Sequence, residues 1–397
     1  MNVFIVDACR TPVGRFRGAL SGARPDDLAA TVVGELMRRN PTVDPAEVED
    51  VWMGASNQAG EDNRNVARMA LLLAGLPLST GGATVNRLCG SGLQAVNSAF
   101  AELSAGNGSL AVAGGVESMT RAPFVMPKAD APFPREQQIA DTALGWRLVN
   151  PRMPKEHTLS MGETAEVLAR EYEIEREAQD DFALRSHQRA VRAQDAGMFD
   201  GEIVPLTVKR GKSEETVTAD EGPRRDASLE ALRKLPPVFA SDGSVTAGNS
   251  SPLNDGAAAC LMATQDAVER LQLQPLVRIV ATATAGVEPR RMGIGPVPAM
   301  DKALQRAGWS LDDLQIVELN EAFAAQSLAV LQELPVDMER VNPLGGAIAL
   351  GHPIGCSGAR LMTTLVHQMK RQPSGTRGAA TMCIGVGQGI ATLVERA

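Results

Sequence analysis

The stretch Asn86-Arg87-Leu88-Cys89-Gly90-Ser91-Gly92 decides how this chain of 397 residues is read. It follows a strand-like run ending near Asn86 and opens an apolar, helix-like stretch from about Gly90 to Ala105. Ser109–Ala113 then reads as a strand. Strand, glycine-rich turn, helix and strand form the repeating unit of an α/β sheet covered on both faces. Toward the N-terminus the alternation continues: Val3–Val6 and Asp50–Met53 read as strands, Asp27–Arg39 and Asn65–Ala74 as helices.

Beyond Arg121 the character changes until about Ser244. Prolines, charges and Met-rich turns dominate, with amphipathic helices expected at Ser160–Tyr172 and around Arg176–Ala196. The charged stretch Lys209–Arg225 is expected at the surface. This segment reads as an insertion, and α/β alternation resumes afterwards through Gln315–Leu319. A weak internal repeat points to two related halves. Cys89-Gly90-Ser91-Gly92 precedes an apolar helix and the strand Leu110–Gly115, and Cys356-Ser357-Gly358-Ala359 precedes another helix and the strand Ala379–Gly385.

With 44% hydrophobic residues the chain can bury two cores, and with 3% aromatics those cores are aliphatic. A formal net charge of −8 argues against a nucleic-acid or membrane-surface partner, and an anionic ligand would need a local basic patch. The five cysteines (Cys9, Cys89, Cys260, Cys356, Cys383) are odd in number and lack any Cys-x-x-Cys pair. Neither a disulfide framework nor a metal site is expected. No apolar run approaches the ~18 residues of a membrane span, and the chain reads as soluble and cytoplasmic.

Four positions at strand-to-helix junctions could carry chemistry. Cys89 stands before a helix, where the helix dipole favours thiolate and the glycines leave amides open to an oxyanion. It is equally readable as a buried small hydrophobe. His352, in Gly351-His352-Pro353, is presented by a glycine-rich loop as an exposed base or a helix cap. His187 and His367, in polar helical stretches, read as solvated. Cys383 precedes Ile384-Gly385-Val386-Gly387-Gln388-Gly389, which lacks the spacing of a dinucleotide fingerprint. Asn320 ends a strand and could equally be the N-cap of a helix Glu321–Leu334.

On Asn86–Val96, Asn342–Gly358, Met382–Gly389 and Asn320-Glu321-Ala322-Phe323, in this order, the chain resembles the thiolase family over its whole length. The resemblance implies two similar βαβαβαββ halves in an α/β/α/β/α arrangement with a loop domain inserted in the first. The expected division is 1–120 with 245–270 for the first half, 121–244 for the inserted domain over coenzyme A, and 271–397 for the second half. It further implies reversible cleavage of 3-oxoacyl-CoA by CoA, in fatty-acid or aromatic catabolism. Coenzyme A is then a substrate, no cofactor is permanently bound and the kinetics are ping-pong.

By the same resemblance Cys89 is the nucleophile, His352 its base, Cys383 the second acid/base, and Asn320 with His352 one oxyanion hole. The amides of Cys89 and Gly385 form the other. Met161, Ser251 and Phe323 match positions near the pantetheine arm, and Arg224 the nucleotide end, with an ordinary surface charge as its alternative. A homo-oligomer is implied, a dimer or a homotetramer built as a dimer of dimers. Departures bear on the substrate: Ser160-Met161 replaces the His-Met of acetoacetyl-CoA enzymes, Val386 and Pro252 replace glycines, and Gln58–Pro77 and Leu144–Met153 look like 3-oxoadipyl-CoA enzymes. The alternatives are a strict acetyl-CoA acetyltransferase, a decarboxylating ketoacyl synthase, which Cys383 disfavours, and a non-catalytic acyl-CoA-binding chain.

Overall fold

The computed structural model describes residues 1–397, the side chain of Arg210 excepted. Nine strands make the main sheet: β1 (Val3–Arg10), β2 (Val48–Gly54), β3 (Gly81–Val85), β4 (Leu110–Ser118), β5 (Asn254–Thr264), β6 (Val277–Gly286), β7 (Ile316–Leu319), β8 (Arg377–Ile384) and β9 (Gln388–Arg396). Their order is β7-β8-β9-β6-β1-β5-β4-β2-β3, with the two-residue strand Gly14–Arg15 pairing off the path. Only Phe4↔Arg278 and Ile5↔Val277 join β1 to β6. The sheet is therefore two halves meeting at a narrow seam.

The halves share one topology. In the first, strands follow the spatial order third, second, fourth, fifth, first. The second repeats it, its third strand reduced to the single parallel bridge Val317↔Val341. Seven helices fill corresponding places or the insertion: α1 (Pro25–Arg39), α2 (Val66–Leu73), α3 (Ser91–Ser104), α4 (Met161–Glu171) and α5 (Arg176–Asp195), then α6 (Pro296–Ala307) and α7 (Ala324–Glu333), before the long α8 (Ile354–Met369). Helices α1 and α2 cover the outer face of the first half, and α6 and α7 that of the second. Between them α3 and α8 pack on strands of both halves, which makes five layers.

The middle layer explains its own composition. Every residue of α8 from Gly355 to Met369 is buried, and polar side chains among them are bonded: Ser357 to His352, His367 to the Ala8 carbonyl and Gln368 to Glu318. A Cβ on Gly92 would lie 2.7 Å from the Ala359 nitrogen, and one on Gly358 would lie 2.4 Å from the Leu93 nitrogen. These reciprocal contacts pair Gly92 with Gly358 and Leu93 with Ala359. The internal repeat is therefore real but shifted by one residue: Cys89 corresponds to Gly355, and Cys356 is a buried structural thiol in the first turn of α8.

The chain leaves the sheet after Ser118 and returns at Asn254. The excursion holds α4, α5 and two short ribbons, one pairing Phe124–Val125 with Ala140–Asp141, the other Leu206–Arg210 with Ser213–Val217. Buried Arg10 clamps it to the sheet, donating to both Asp220 oxygens at 2.6 and 2.8 Å and to Glu202 at 2.6 Å. A fully paired, buried guanidinium of this kind costs stability chiefly when one partner is removed. Among the described residues no helix is long and apolar enough to cross a membrane.

Candidate active site

Cys89 is held on a tight elbow between β3 and α3. Leu88 adopts φ 48°, an uncommon conformation for a residue with a γ-branched side chain, and local bonds hold it there. The Leu88 amide donates to Asn86 Oδ1 at 2.9 Å, and Ser91 Oγ donates to the Leu88 carbonyl at 2.6 Å. Arg87 reaches Gln94 Oε1 at 2.8 Å and, across the halves, Gln388 Oε1 at 2.9 Å. The elbow therefore points the sulfur away from the sheet, toward the second half.

The second half answers with two groups. Cys383 lies near the end of β8, and the hairpin turn after it brings the Gly385 amide onto the Cys89 sulfur. Val386 and Gly387 make this turn at φ 61° and 73°. A β-branched residue at positive φ is strained, which accounts for glycine being the easier choice at position 386. His352 precedes α8, and its amide donates to Asn254 Oδ1 at 2.9 Å. The expectation of an exposed, capping histidine is wrong: His352 is 8% exposed, and Pro353 rather than His352 caps α8.

Asn320 also departs from its alternative reading. Helix α7 begins at Ala324, capped by Phe323, so Asn320 caps nothing; it follows β7 with its amide on the Thr381 carbonyl at 3.0 Å. Its Nδ2 faces His352 Nε2 at 3.5 Å, and its buried Oδ1 has no partner among the described residues. That oxygen is free to accept from a ligand or solvent. His367 and His187 are buried as well, not solvated: His367 Nε2 meets the Ala8 carbonyl at 2.8 Å, and His187 Nδ1 accepts from the Arg224 amide at 3.2 Å.

The tautomer of His352 follows from a hydroxyl. Ser357 Oγ donates its one proton to the Pro353 carbonyl at 2.9 Å, so at 2.6 Å from His352 Nδ1 it must accept. Nδ1 then carries the hydrogen and Nε2 keeps its lone pair toward Asn320 and the cavity. Burial, with the nearby Arg360 charge, lowers the imidazole to about 4, which keeps Nε2 unprotonated at neutral pH. Ser357→Ala should reduce kcat about tenfold, the cost of one lost hydrogen bond to the working ring. An unchanged kcat in folded variant protein would show that the tautomer is set by something else.

Burial also overturns the expected thiolate. Desolvation pushes Cys89 up to about 11 and outweighs the lowering by the Gly385 and Cys89 amides. Cys383 is raised further, first by burial and then by charge on Cys89. The resting site is thus two neutral thiols beside a neutral imidazole, and Cys89 depends on a base for its nucleophilicity.

These groups share one cavity of about 560 Å³. Cys89, His352, Cys383 and Gly385 line it, as do Met161, Ser251 and Phe323, while Asn320 stands behind His352. Met161 opens α4 beside Ser160, whose side chain and Glu163 form a reciprocal cap. Ser251 Oγ donates to the Ala322 carbonyl at 3.0 Å, and Phe323 stacks edge-on to Phe239 at 6.1 Å. Arg224 is exposed and outside the cavity wall.

Three supporting residues escaped sequence reading. Glu117, in the otherwise apolar β4, accepts from the amides of Ser56, Asn57 and Gly355 and so ties the first half to the start of α8. Glu321 accepts from Ser186, Asn342 and Ile348 and fixes the turn after Asn320. Asn254 seats His352. For Glu117 and Asn254 a charged or amide side chain in an otherwise apolar strand was the available signal, because such groups are buried only when bonded.

The comparisons with known proteins agree among themselves. A family model described as "Thiolase, N-terminal domain" matches residues 3–266, and "Thiolase, C-terminal domain" matches 273–396. A beta-ketoadipyl-CoA thiolase of Pseudomonas aeruginosa is 56% identical over 100% of this chain and 99% of its own length. A 3-oxoadipyl-CoA/3-oxo-5,6-dehydrosuberyl-CoA thiolase of Escherichia coli is 55% identical with the same coverage. The crystal structure of a Bacillus anthracis acetyl-CoA acetyltransferase matches with TM-score 0.93 at 44% identity, again over 100% of this chain and 99% of that one.

Proposed function

Because this chain belongs to the thiolase family, an acyltransferase family that cleaves 3-oxoacyl-CoA with CoA, we propose that Cys89, His352, Cys383 and Asn320 carry that cleavage and that 3-oxoadipyl-CoA is its preferred substrate. The observation that carries the site assignment is the convergence of a thiol, a neutral imidazole and a second thiol on one cavity from both halves.

In this reading the substrate's thioester end lies along Met161, Ser251 and Phe323, and Arg224 meets the nucleotide at the mouth. Residues 121–244 act as the inserted domain closing over coenzyme A, between a first half of 1–120 with 245–270 and a second of 271–397. His352 Nε2 takes the Cys89 proton and the sulfur attacks the 3-oxo carbon, whose oxygen is met by the Cys89 and Gly385 amides. The C2–C3 bond breaks and its electron pair passes to C2 as the enolate of acetyl-CoA. The protonated His352 Nε2, now a donor, faces the enolate oxygen with Asn320, and the Cys383 thiol protonates C2. A CoA thiol then gives its proton to the Cys383 thiolate and attacks the acyl-Cys89 carbon. The Cys89 sulfur leaves and recovers its proton from His352. The 3-oxoacyl thioester is thus the substrate of the first half of a ping-pong cycle and free coenzyme A that of the second.

Assembly as a homodimer or a dimer of dimers is supported by Leu73 and Leu78, exposed beside the edge strand β3, and by Phe124, Met126 and Phe133 on the inserted ribbon segment.

The substrate preference rests on the relatives' names and on room beyond Cys89 for more than a two-carbon unit, walled by Leu88, Met119 and Trp146. Thiolysis of 3-oxoadipyl-CoA should exceed that of acetoacetyl-CoA and a medium-chain 3-oxoacyl-CoA by at least about tenfold in kcat/KM. A preference for acetoacetyl-CoA would make the enzyme an acetyl-CoA acetyltransferase instead.

A further inference from the structure

Besides Cys89, the cavity is lined by Met161, Ser251 and Phe323 and by the segment Thr142–Arg147 of the insertion. That segment is anchored at both ends. Thr142 Oγ1 accepts from Asn57 Nδ2 at 2.8 Å, and the Trp146 indole N–H donates to the Leu159 carbonyl at 3.0 Å. Trp146 packs against the turn that follows Cys383, since a Cβ on Gly385 would come within 3.0 Å of its ring. Gly145 at φ 81° and Leu148 at φ 52° bend the chain sharply on either side and present Trp146 and Arg147 together.

Arg147 is the one lysine or arginine on the wall of this cavity. Among the described residues it has no hydrogen bond, ion pair or ring contact, while most other arginines near the sheet are paired. The only carboxylate on the wall, Glu117, is committed to the amides of Ser56, Asn57 and Gly355 and to the Ser56 hydroxyl. An unpaired guanidinium on a largely apolar wall, in a chain of net charge −8, is available for an anion that the substrate brings.

We propose that Arg147 is a specificity-determining residue that pairs with a carboxylate at the far end of the acyl chain, selecting 3-oxoacyl-CoA substrates that end in a carboxylate. The inference rests on the thiolase reading of the same site. The acyl group left on Cys89 is then a carboxyacyl thioester. For a six-carbon substrate its carboxylate carbon stands three C–C bonds from the thioester carbon, about 4 Å when extended. The long, mobile arginine side chain covers the remaining distance from beside Trp146. Asn86 Nδ2, which gives one hydrogen to the Ser56 carbonyl at 2.9 Å, keeps a second for the other carboxylate oxygen.

The test compares 3-oxoadipyl-CoA with 3-oxohexanoyl-CoA, which has the same chain length and lacks only the charge. Arg147→Gln should lower kcat/KM about 30-fold for 3-oxoadipyl-CoA and leave 3-oxohexanoyl-CoA within about threefold, the loss of one charge-assisted pair. Arg147→Lys should recover part of the difference. Equal losses on both substrates would overturn the proposal and place Arg147 on coenzyme A's phosphates or in the framework. A preference surviving intact in Arg147→Gln would overturn it too. If the unaltered enzyme turned over both substrates equally, the preference for 3-oxoadipyl-CoA would itself fail, whereas the thiolase chemistry would stand.

Discussion

Cys89→Ala should abolish thiolysis, with kcat falling by at least about 10⁵-fold, while folding and substrate binding survive. No other group at the site can take its role. Cys383 is more deeply buried and its thiol is held further from ionisation, and Ser91 Oγ is committed to the Leu88 carbonyl. When a covalent step loses its nucleophile, only positioning and oxyanion donors remain, and these recover a small part of the rate. Alanine fits the elbow, because Asn86, Ser91 and Gln94 hold it rather than the sulfur. The measurement is steady-state thiolysis, together with mass spectrometry for the acyl-enzyme. Residual turnover within a hundredfold of the unaltered protein would remove Cys89 from the mechanism.

The pH profile of the unaltered protein bears on the same step. Between about 4, where burial puts His352, and about 11, where burial puts Cys89, both groups rest uncharged. Protonation of His352 removes the base, so the rate of Cys89 acylation should fall as pH drops toward 4 and stay flat from about 6 to 9. A limb centred near pH 7 would mean that a thiolate–imidazolium pair exists before substrate arrives.

How much of this was readable beforehand divides along physical lines. The alternation of apolar strands with helices is local information, and it announced an α/β sheet interrupted beyond Arg121; the two halves were signalled by the short repeat at Cys89 and Cys356, which the structure shifts by one residue. The cysteines at 89 and 383 and the histidine at 352 were legible because each sits in a glycine-rich junction that a packed core has no use for. What sequence could not convey was the environment. Exposure was inferred for His187 and His367 from polar neighbours in the chain and for His352 from its glycine-rich loop and the proline after it, yet all three are buried by segments distant in sequence. The helix-dipole argument for Cys89 was sound as a local term and lost to desolvation, which only the assembled halves create. Glu117, Asn254, Glu321 and Ser357 stayed unread for the same reason: each acts through a partner from a remote stretch or through a ring whose orientation is a tertiary fact.

Cys383→Ala should separate the two bond-making halves of the reaction. Thiolysis should fall by about 10³ to 10⁴-fold, the range for losing a positioned general acid. Exchange of labelled CoA into an acyl-CoA protonates no carbon, so His352 can pass the Cys89 proton to the leaving CoA thiolate without Cys383, and exchange should stay within about tenfold. Deuterium uptake from D₂O into the methyl group of acetyl-CoA should disappear with thiolysis, a readout that a merely structural role would leave in step with acyl exchange. The electrostatics explain why two thiols can work in one pocket. Charge on Cys89 raises Cys383, so the two cannot ionise together. The proposed cycle never asks them to, because in it Cys89 is consumed as a neutral thioester before Cys383 gives up its proton. Acylation therefore removes the charge that held the Cys383 proton in place, at the moment the C2 enolate needs it. If Cys383→Ala instead lost acyl exchange and thiolysis in equal measure, Cys383 would be supporting Cys89 and not protonating carbon.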